Sequence, residues 1–383
     1  MKLKTISEFK MINEAQSTMK LSVPKDVREM NRLFKKAGYQ LYIVGGAVRD
    51  ALLGKMPKDY DLATDAKPEQ VKSILSGTYK FIEIGEAFNI VMAIAPNGEE
   101  YEIATFREDI GKGRRPDAVK FSTIDKDVLR RDLTINALFY DIDRDEIVDL
   151  VGGIKDIEDK NIRTVGDPLE RFGEDALRKL RAIRFAARIN GRIDKEVDSA
   201  LVKDNTLPEV SAPRIHDEFK SGIEKAKKAE YYLSLVNQYD FWDNIFPGIF
   251  VNKKFITSHN WKVQLAELLK PNDINNISRK LRENLAYTEE ETNAVEFMHF
   301  LLDFNIDTDL MEGIKKAKKK GVDIRDVVEF SKYNQIDLNI IKGLFRHEIT
   351  TKGNSPELSG LKGKEIGEKI AELELEKFIK KWL

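Results

Sequence analysis

Two aspartates one residue apart, Asp59-Tyr60-Asp61, follow a Gly45-Gly46-Ala47-Val48-Arg49-Asp50 run. On a strand, residues i and i+2 face the same side, so Asp59 and Asp61 would present two carboxylates next to each other. Hard oxygen donors of this kind suit Mg²⁺, which keeps positions open for water and phosphate. The glycine pair lets backbone approach a phosphate closely. A third carboxylate, Glu102, lies in Tyr101-Glu-Ile-Ala-Thr-Phe-Arg107, where alternation groups it with Ala104 and Phe106. A charge among apolar neighbours needs a partner, and a metal ion or an arginine would supply one. Taken alone, Asp-x-Asp also describes a solvated acidic turn, and Glu102 a salt-bridge residue.

Arg130-Arg131-Asp132 comes next, ahead of Leu133-Thr-Ile-Asn-Ala137. Guanidinium forks bind phosphate oxygens bidentately, so adjacent arginines suit a triphosphate; a solvated helix turn is the plainer alternative. In Glu174-Asp175-Ala-Leu-Arg178, helical spacing makes Asp175 and Arg178 neighbours at i,i+3. As a surface ion pair they would contribute under about 1 kcal/mol. As a base reader they would do more. Cytosine and adenine both show an exocyclic amino donor beside a ring-nitrogen acceptor, which an Asp and an Arg complement. Uracil and guanine show the reverse pattern on that edge.

The elements around these residues follow from punctuation and periodicity. Pro24 opens a helix with Val27, Met30, Leu33 and Phe34 on one face, closed by Gly38. Leu41–Val44 reads as a buried strand running into the glycine pair, followed by a helix over Val48–Leu53 and a second strand carrying Asp59–Leu62. Further strand signals fall at Phe81–Ile84, Ile90–Ala95 and Tyr101–Phe106. Past Gly152-Gly153 helical periods take over. Ala176, Leu180, Ile183 and Ala187 mark one core-facing stripe, and from about 223 onward the pattern is all-helical.

Composition narrows the chemistry. A chain of 383 residues exceeds one typical compact domain. With 42% hydrophobic and 34% charged residues it is neither a disordered tail nor a membrane protein, and residues 1–20 contain no continuous apolar segment. There is no cysteine, so disulfides, thiolate catalysis and cysteine-bound zinc are excluded. Absent cysteine also suits a reducing, cytoplasmic setting. The four histidines, His216, His259, His299 and His347, are scattered, so any metal should be a hard ion on carboxylates. The 64 basic and 65 acidic side chains nearly cancel. A nucleic-acid partner needs only local basic surface, such as the Arg-rich stretches at 107–131 and 171–192 and the Lys run at 315–320.

Seven runs together resemble the class II tRNA nucleotidyltransferase (CCA-adding) and bacterial poly(A) polymerase family. They are YIVGGAVRDALLG (42–54) with KDYDLAT (58–64), YEIATFR (101–107), RRP (114–116), RRDLTINAL (130–138), GGIKDI (152–157) and IRTVGDPLERFGEDALRKLRAIRFAAR (162–188). The resemblance covers roughly residues 29–222. It implies an α+β fold: a polymerase-beta-like head with a small mixed sheet and helices over 23–152, then an all-α neck over 153–222 and an all-helical body and tail over 223–383, behind an extension over 1–22. Asp59 and Asp61 match the metal-binding pair, and Glu102 completes the carboxylate set. Gly45, Gly46 and Arg49 fall in the first motif of the nucleotide site. Arg130, Arg131 and Asp132 match the ribose and phosphate motif, and Asp175 and Arg178 the amino-acid template for the incoming base. Arg181 and Arg184 extend that nucleotide site, and Gly152-Gly153 matches the flexible head–neck connector.

The resemblance implies CCA addition to tRNA from CTP and ATP with Mg²⁺, releasing pyrophosphate, with no membrane partner; it leaves the oligomeric state open. The alternatives are a poly(A) polymerase, a CC-only or A-only enzyme, and a non-catalytic RNA-binding relative. Three features depart from the family pattern. Segment 108–113 looks about two residues short in a loop that helps relatives switch from C to A. Pro213 stands where relatives often carry Glu. His216-Asp217 forms an HD dipeptide without the further ligands a phosphohydrolase needs, so it reads as structural.

Overall fold

A computed structural model describes residues 21–82, 90–110 and 118–383. The RRP run, most of the extension, the end of the shortened loop and Ile84 lie outside the described residues. The chain divides into two compact units, Met1–Pro208 and Glu209–Leu383.

The first unit is built on β1 (Leu41–Val44), β2 (Asp61–Thr64), β3 (Lys80–Ile82), β4 (Ile90–Ile94), β5 (Glu100–Thr105), β8 (Leu138–Asp141) and β9 (Glu146–Asp149). They form one sheet in the order β3-β4-β5-β2-β1-β8-β9. A separate ribbon pairs β6 (Arg107–Ile110) with β7 (Ala118–Phe121). The sheet is mixed: β1 runs antiparallel to β2 and β8, and β2 runs parallel to β5. All four residues of β1 are buried, as expected of a central strand covered on both faces. Helices α1 (Lys25–Lys36) and α3 (Pro68–Leu75) pack together on this sheet, and α2 (Gly46–Leu52) follows directly from β1. Pro24 sits at the N-cap of α1, where a missing N–H costs nothing.

An aromatic trio, Tyr42, Phe106 and Phe139, holds the sheet's centre, with ring centroids 5.9, 6.1 and 6.3 Å apart. Val44, Ala63, Val128, Ala137 and Val165 complete that core. The second strand starts two residues later than the sequence suggested. Val44 pairs with Asp61, and β1 ends there because the chain turns at Gly45, whose φ is +66°. Asp59 and Tyr60 therefore have no strand partner and precede β2.

Beyond β9, Asp149 accepts hydrogen bonds from the amides of Val151, Gly152, Gly153 and Ile154 at 2.8–3.1 Å. It thereby fastens the start of α4 (Gly153–Glu158). A Cβ on Gly153 would lie 2.2 Å from the Thr134 carbonyl oxygen, so only glycine fits. Helices α5 (Pro168–Glu174), α6 (Leu177–Ile189) and α7 (Lys195–Lys203) finish the unit. Helix α6 is buried along most of its length, and even Lys179 is 2% exposed, bonded to Asp204 at 2.7 Å and the Thr206 carbonyl at 2.8 Å.

The second unit is helical throughout its described elements: α8 (Ala212–Lys225), α9 (Ala229–Gln238), α10 (Trp261–Leu269), α11 (Ile274–Asn284), α12 (Glu289–Phe300), α13 (Ile306–Ala317), α14 (Ile324–Tyr333), α15 (Leu338–Arg346) and α16 (Lys364–Trp382), with one-turn pieces between. Asn260, Asp273, Thr288, Asn305, Asp323 and Asp337 cap successive helices by accepting a first-turn amide. No described helix is long and apolar enough to cross a membrane.

Candidate active site

Parallel pairing brings the carboxylates together. Leu62 is aligned with Ile103, so one step back places Asp61 beside Glu102 on adjacent strands. Both residues are exposed, as is Asp59 just ahead of β2. Partial burial, reinforced by the Asp59 charge and opposed by Arg131, raises the Asp61 carboxyl above its ordinary value. Burial and the Asp61 charge raise Glu102 likewise. Crowded carboxylates held against their own repulsion favour a cation between them. Among the described residues no three His, Cys, Asp or Glu side chains gather as tightly as a complete ligand set. The donors at hand are hard oxygens, which fits a divalent ion.

The Gly45-Gly46 turn follows β1, beside Arg131. Gly45 donates its amide to the Leu138 carbonyl at 3.0 Å, and a Cβ on it would come within 3.8 Å of the Arg131 guanidinium. Arg49 is buried, and its side chain turns inward: Nε and Nη2 donate to Asp50 at 3.0 and 2.9 Å, and Nη1 to Asn136. Burial and the neighbouring Arg188 charge lower Arg49 to about 10.

Both adjacent arginines are aimed by Asp127, which is 1% exposed. Its two carboxylate oxygens accept from Arg130 Nε at 2.8 Å and from Arg131 Nη2 at 3.0 Å. Phe139 supports Arg131 from beneath, 4.6 Å from guanidinium carbon to ring centroid. Asp132 takes Arg181 through Nε at 2.7 Å and accepts the Leu133 amide at 2.8 Å. Burial would raise its carboxyl, but Arg181, that amide and Arg178 outweigh it and hold the pKa below the ordinary value.

Asp175 does not lie on a helix with Arg178. It occupies the break between α5 and α6, with φ −151°, and its carboxylate accepts the Leu177 amide at 3.2 Å. Arg178 follows in the first turn of α6. Its Nη1 donates to Glu174 at 2.6 Å and to the Arg171 carbonyl at 3.2 Å, and its Nη2 to the Arg130 carbonyl at 3.0 Å. The arginine is thus fixed in direction and tied to the Arg130-Arg131-Asp132 segment. Arg184 is buried on the same helix, its guanidinium 4.3 Å from the Phe185 ring centroid.

Asp127, Asn136, Glu174, Asp50 and Arg188 escaped the sequence reading. Asp50, Asn136 and Arg188 have partners far away in the chain, whereas Asp127, three and four residues before Arg130 and Arg131, and Glu174, four before Arg178, had a local signal. His216 is buried on α8 among Trp261, Tyr287 and Glu291. Asp217 beside it is exposed, so the dipeptide gathers no ligand set among the described residues.

Residues 41–163 match the Poly A polymerase head domain. The CCA-adding enzyme of Lactobacillus helveticus is 37% identical over 284 residues, covering 70% of this chain and 69% of that protein. The chain belongs to the CCA-adding enzyme family. Membership makes it an enzyme of the nucleotidyltransferase class, and nucleotidyltransferases of this family use a divalent metal ion. The CCA-adding enzyme of Bacillus pumilus is 46% identical over 198 residues, 51% of this chain and 47% of that protein. Against several such relatives the chain spans about half their length. Among solved structures, the Bacillus stearothermophilus CCA-adding enzyme in complex with CTP superposes with a TM-score of 0.71 at 22% identity, over 92% of each chain. The Thermotoga maritima CCA-adding enzyme complexed with tRNA does so at 0.63 and 22%, over 99% of this chain and 95% of that one. At those identities the likeness is one of fold. It agrees with the expected polymerase-beta-like head and helical remainder.

Proposed function

We propose that this chain adds C, C and A to the 3′ end of tRNA from CTP and ATP, releasing pyrophosphate, with Mg²⁺ as the metal. The observation that carries the reading is the placement of Asp61 beside Glu102, with Asp59 and Arg131 close enough to shift the Asp61 carboxyl. Asp59 and Asp61 would hold Mg²⁺, which would acidify the RNA 3′-hydroxyl and neutralise charge on the triphosphate. Glu102 adds negative charge that favours the cation. Arg130 and Arg131, pre-aimed by Asp127, receive the phosphate oxygens, and the Gly45-Gly46 loop admits them close to backbone. Arg49 and Asp132 act from behind, holding the loop and Arg181 in place.

Asp175 and Arg178 read the base. The carboxylate accepts from the amino group of C or A, and the guanidinium donates to the ring nitrogen. Arg178 begins oriented by Glu174, so little order must be gained when a nucleotide arrives. The relatives' printed names favour CCA addition over poly(A) synthesis, and the absence of cysteine suits a cytoplasmic setting.

One assay tests the reading. tRNAs ending before the first C, after one C and after two C are each incubated with CTP or ATP alone and with both. A CCA-adding enzyme extends the first two with CTP and the third with ATP, and then stops. A ladder of A residues would show a poly(A) polymerase; extension of only the first two substrates would show a CC-adding enzyme, and of only the third an A-adding one.

A further inference from the structure

The inward-facing charges between α2 and α6 form a closed circuit. Arg188 donates to Asp50 Oδ2 at 2.8 Å. Asp50 Oδ1 takes Arg49 through Nε and Nη2. Arg49 Nη1 reaches Asn136 Oδ1. Asn136 Nδ2 lies 3.5 Å from Asp132 Oδ1, and Asp132 Oδ2 accepts from Arg181 Nε at 2.7 Å. Arg181 and Arg188 both belong to α6, seven residues and so about two turns apart. The circuit therefore leaves the helix at one point, passes through the phosphate-loop helix and the Arg-Arg-Asp motif, and returns to it. Phe185 fills the centre, with the guanidinium carbons of Arg184, Arg49, Arg181 and Arg188 at 4.3, 4.9, 5.6 and 5.9 Å from its ring centroid.

We infer that this ring sets the distance between the part of the site that holds the triphosphate and the part that reads the base, making Asp50, Asn136 and Arg188 positioning residues for nucleotide selection. Its three anchors are Arg49-Asp50 on α2, the helix that starts at Gly46, the Asp132 that follows Arg130-Arg131, and α6, whose first turn carries Arg178. A nucleotide spans all three, so a shift of α6 along α2 moves the base reader relative to the phosphates. The ring resists that shift with charge-assisted hydrogen bonds, which demand direction as well as proximity. Arginines outnumber aspartates around Phe185, so the packing would be repulsive without Asp50 and Asp132.

The inference rests on the proposed function, and its test separates the two. The measured quantity is kcat/KM for CTP and for UTP on a tRNA lacking its 3′ CCA, with melting temperature alongside. A wild type that adds C and rejects U supports the function. Arg188→Gln and Asp50→Asn are expected to lower kcat/KM for CTP on the order of tenfold to a hundredfold, the penalty of slight misplacement, and to narrow the CTP-over-UTP ratio. Arg188→Lys, which keeps the charge, should recover part of both. The double variant should lose no more than the worse single one, because both break one circuit. Arg188 is 21% exposed, so its variants carry the test if Asp50→Asn fails to fold. A discriminating wild type whose variants lose melting temperature but keep the CTP-over-UTP ratio would overturn the ring's role and leave the function standing. A wild type that adds no nucleotide would overturn both.

Discussion

At the residue scale, chemistry rests on side chains whose neighbours decide what they can do. Asp61→Ala or Asp59→Ala should reduce nucleotide addition by orders of magnitude while melting temperature stays near wild type. Each removes a hard oxygen donor from an exposed position, where no cysteine exists to replace it. Turnover within a few-fold of wild type would refute the metal-binding role. Asp175→Ala should change nucleotide choice. Uracil presents a carbonyl oxygen where C and A present an amino group, and removing the carboxylate relieves a mismatch of roughly 1–3 kcal/mol, enough to raise U incorporation about tenfold. An unaltered CTP-over-UTP ratio in a folded protein would move base selection away from this turn. The carboxylate spacing and the arginine pair were legible in the sequence because they are local. Asp50 with Arg188, 138 positions apart, and Arg49 with Asn136, 87 apart, were not, since only the tertiary packing of their elements brings them together. Asp175 looked helical because a two-residue break, Asp175-Ala176, leaves the i,i+3 spacing undisturbed in the sequence.

At the scale of elements, two joints each depend on one residue, which single substitutions should reveal. The α4 start allows no side chain at Gly153, where a Cβ meets the Thr134 carbonyl oxygen. Gly153→Ala should therefore cost about 1–3 kcal/mol and lower the melting temperature by several degrees. An unchanged melting temperature would show that the joint yields. A connector tied by four amides to Asp149 is anchored at this end, whatever freedom its glycines suggest. In the second unit, α16 supplies Glu374, which is 0% exposed. It accepts from His347 at 2.9 Å, from the Thr351 amide at 2.8 Å and from Lys377 at 2.9 Å. Burial would raise its carboxyl, but these bonds hold it far below the ordinary value. A depressed folded-state pKa stabilises above the unfolded value and is lost as pH falls. The melting-temperature gap between wild type and Glu374→Gln should thus be widest above pH 4.5 and narrow in acid; a gap independent of pH would remove the charge from the explanation. Helix periods announced these elements, but nothing in a period says which acid will meet which loop.

The whole molecule has a formal net charge of −1, yet the proposed substrate is a polyanion, so attraction must be local. At the end of α13 in the second unit and just past it, Lys315, Lys316, Lys318 and Lys319 line an open groove of about 780 Å³ with Met311, Ile314 and Ile349. Lys316 is paired with Glu312 at 3.2 Å, and Lys319 with Glu296 at 3.7 Å. These bonds neutralise part of the basic charge. A phosphate backbone could displace such partners, because each phosphate that a lysine neutralises releases condensed counterions from the RNA. Affinity for tRNA should therefore fall steeply as salt rises, despite the neutral total. Replacing Lys315 or Lys318 by Ala should weaken binding and make the log–log salt slope shallower by roughly one for each phosphate left without its lysine. The kcat for a short RNA bound only by the first unit should be unaffected, since these lysines lie outside it. Binding measured by fluorescence anisotropy over a salt series decides the matter. A slope that stays the same in both variants would leave this groove out of RNA binding, and a wild-type affinity indifferent to salt would remove the phosphates from recognition altogether.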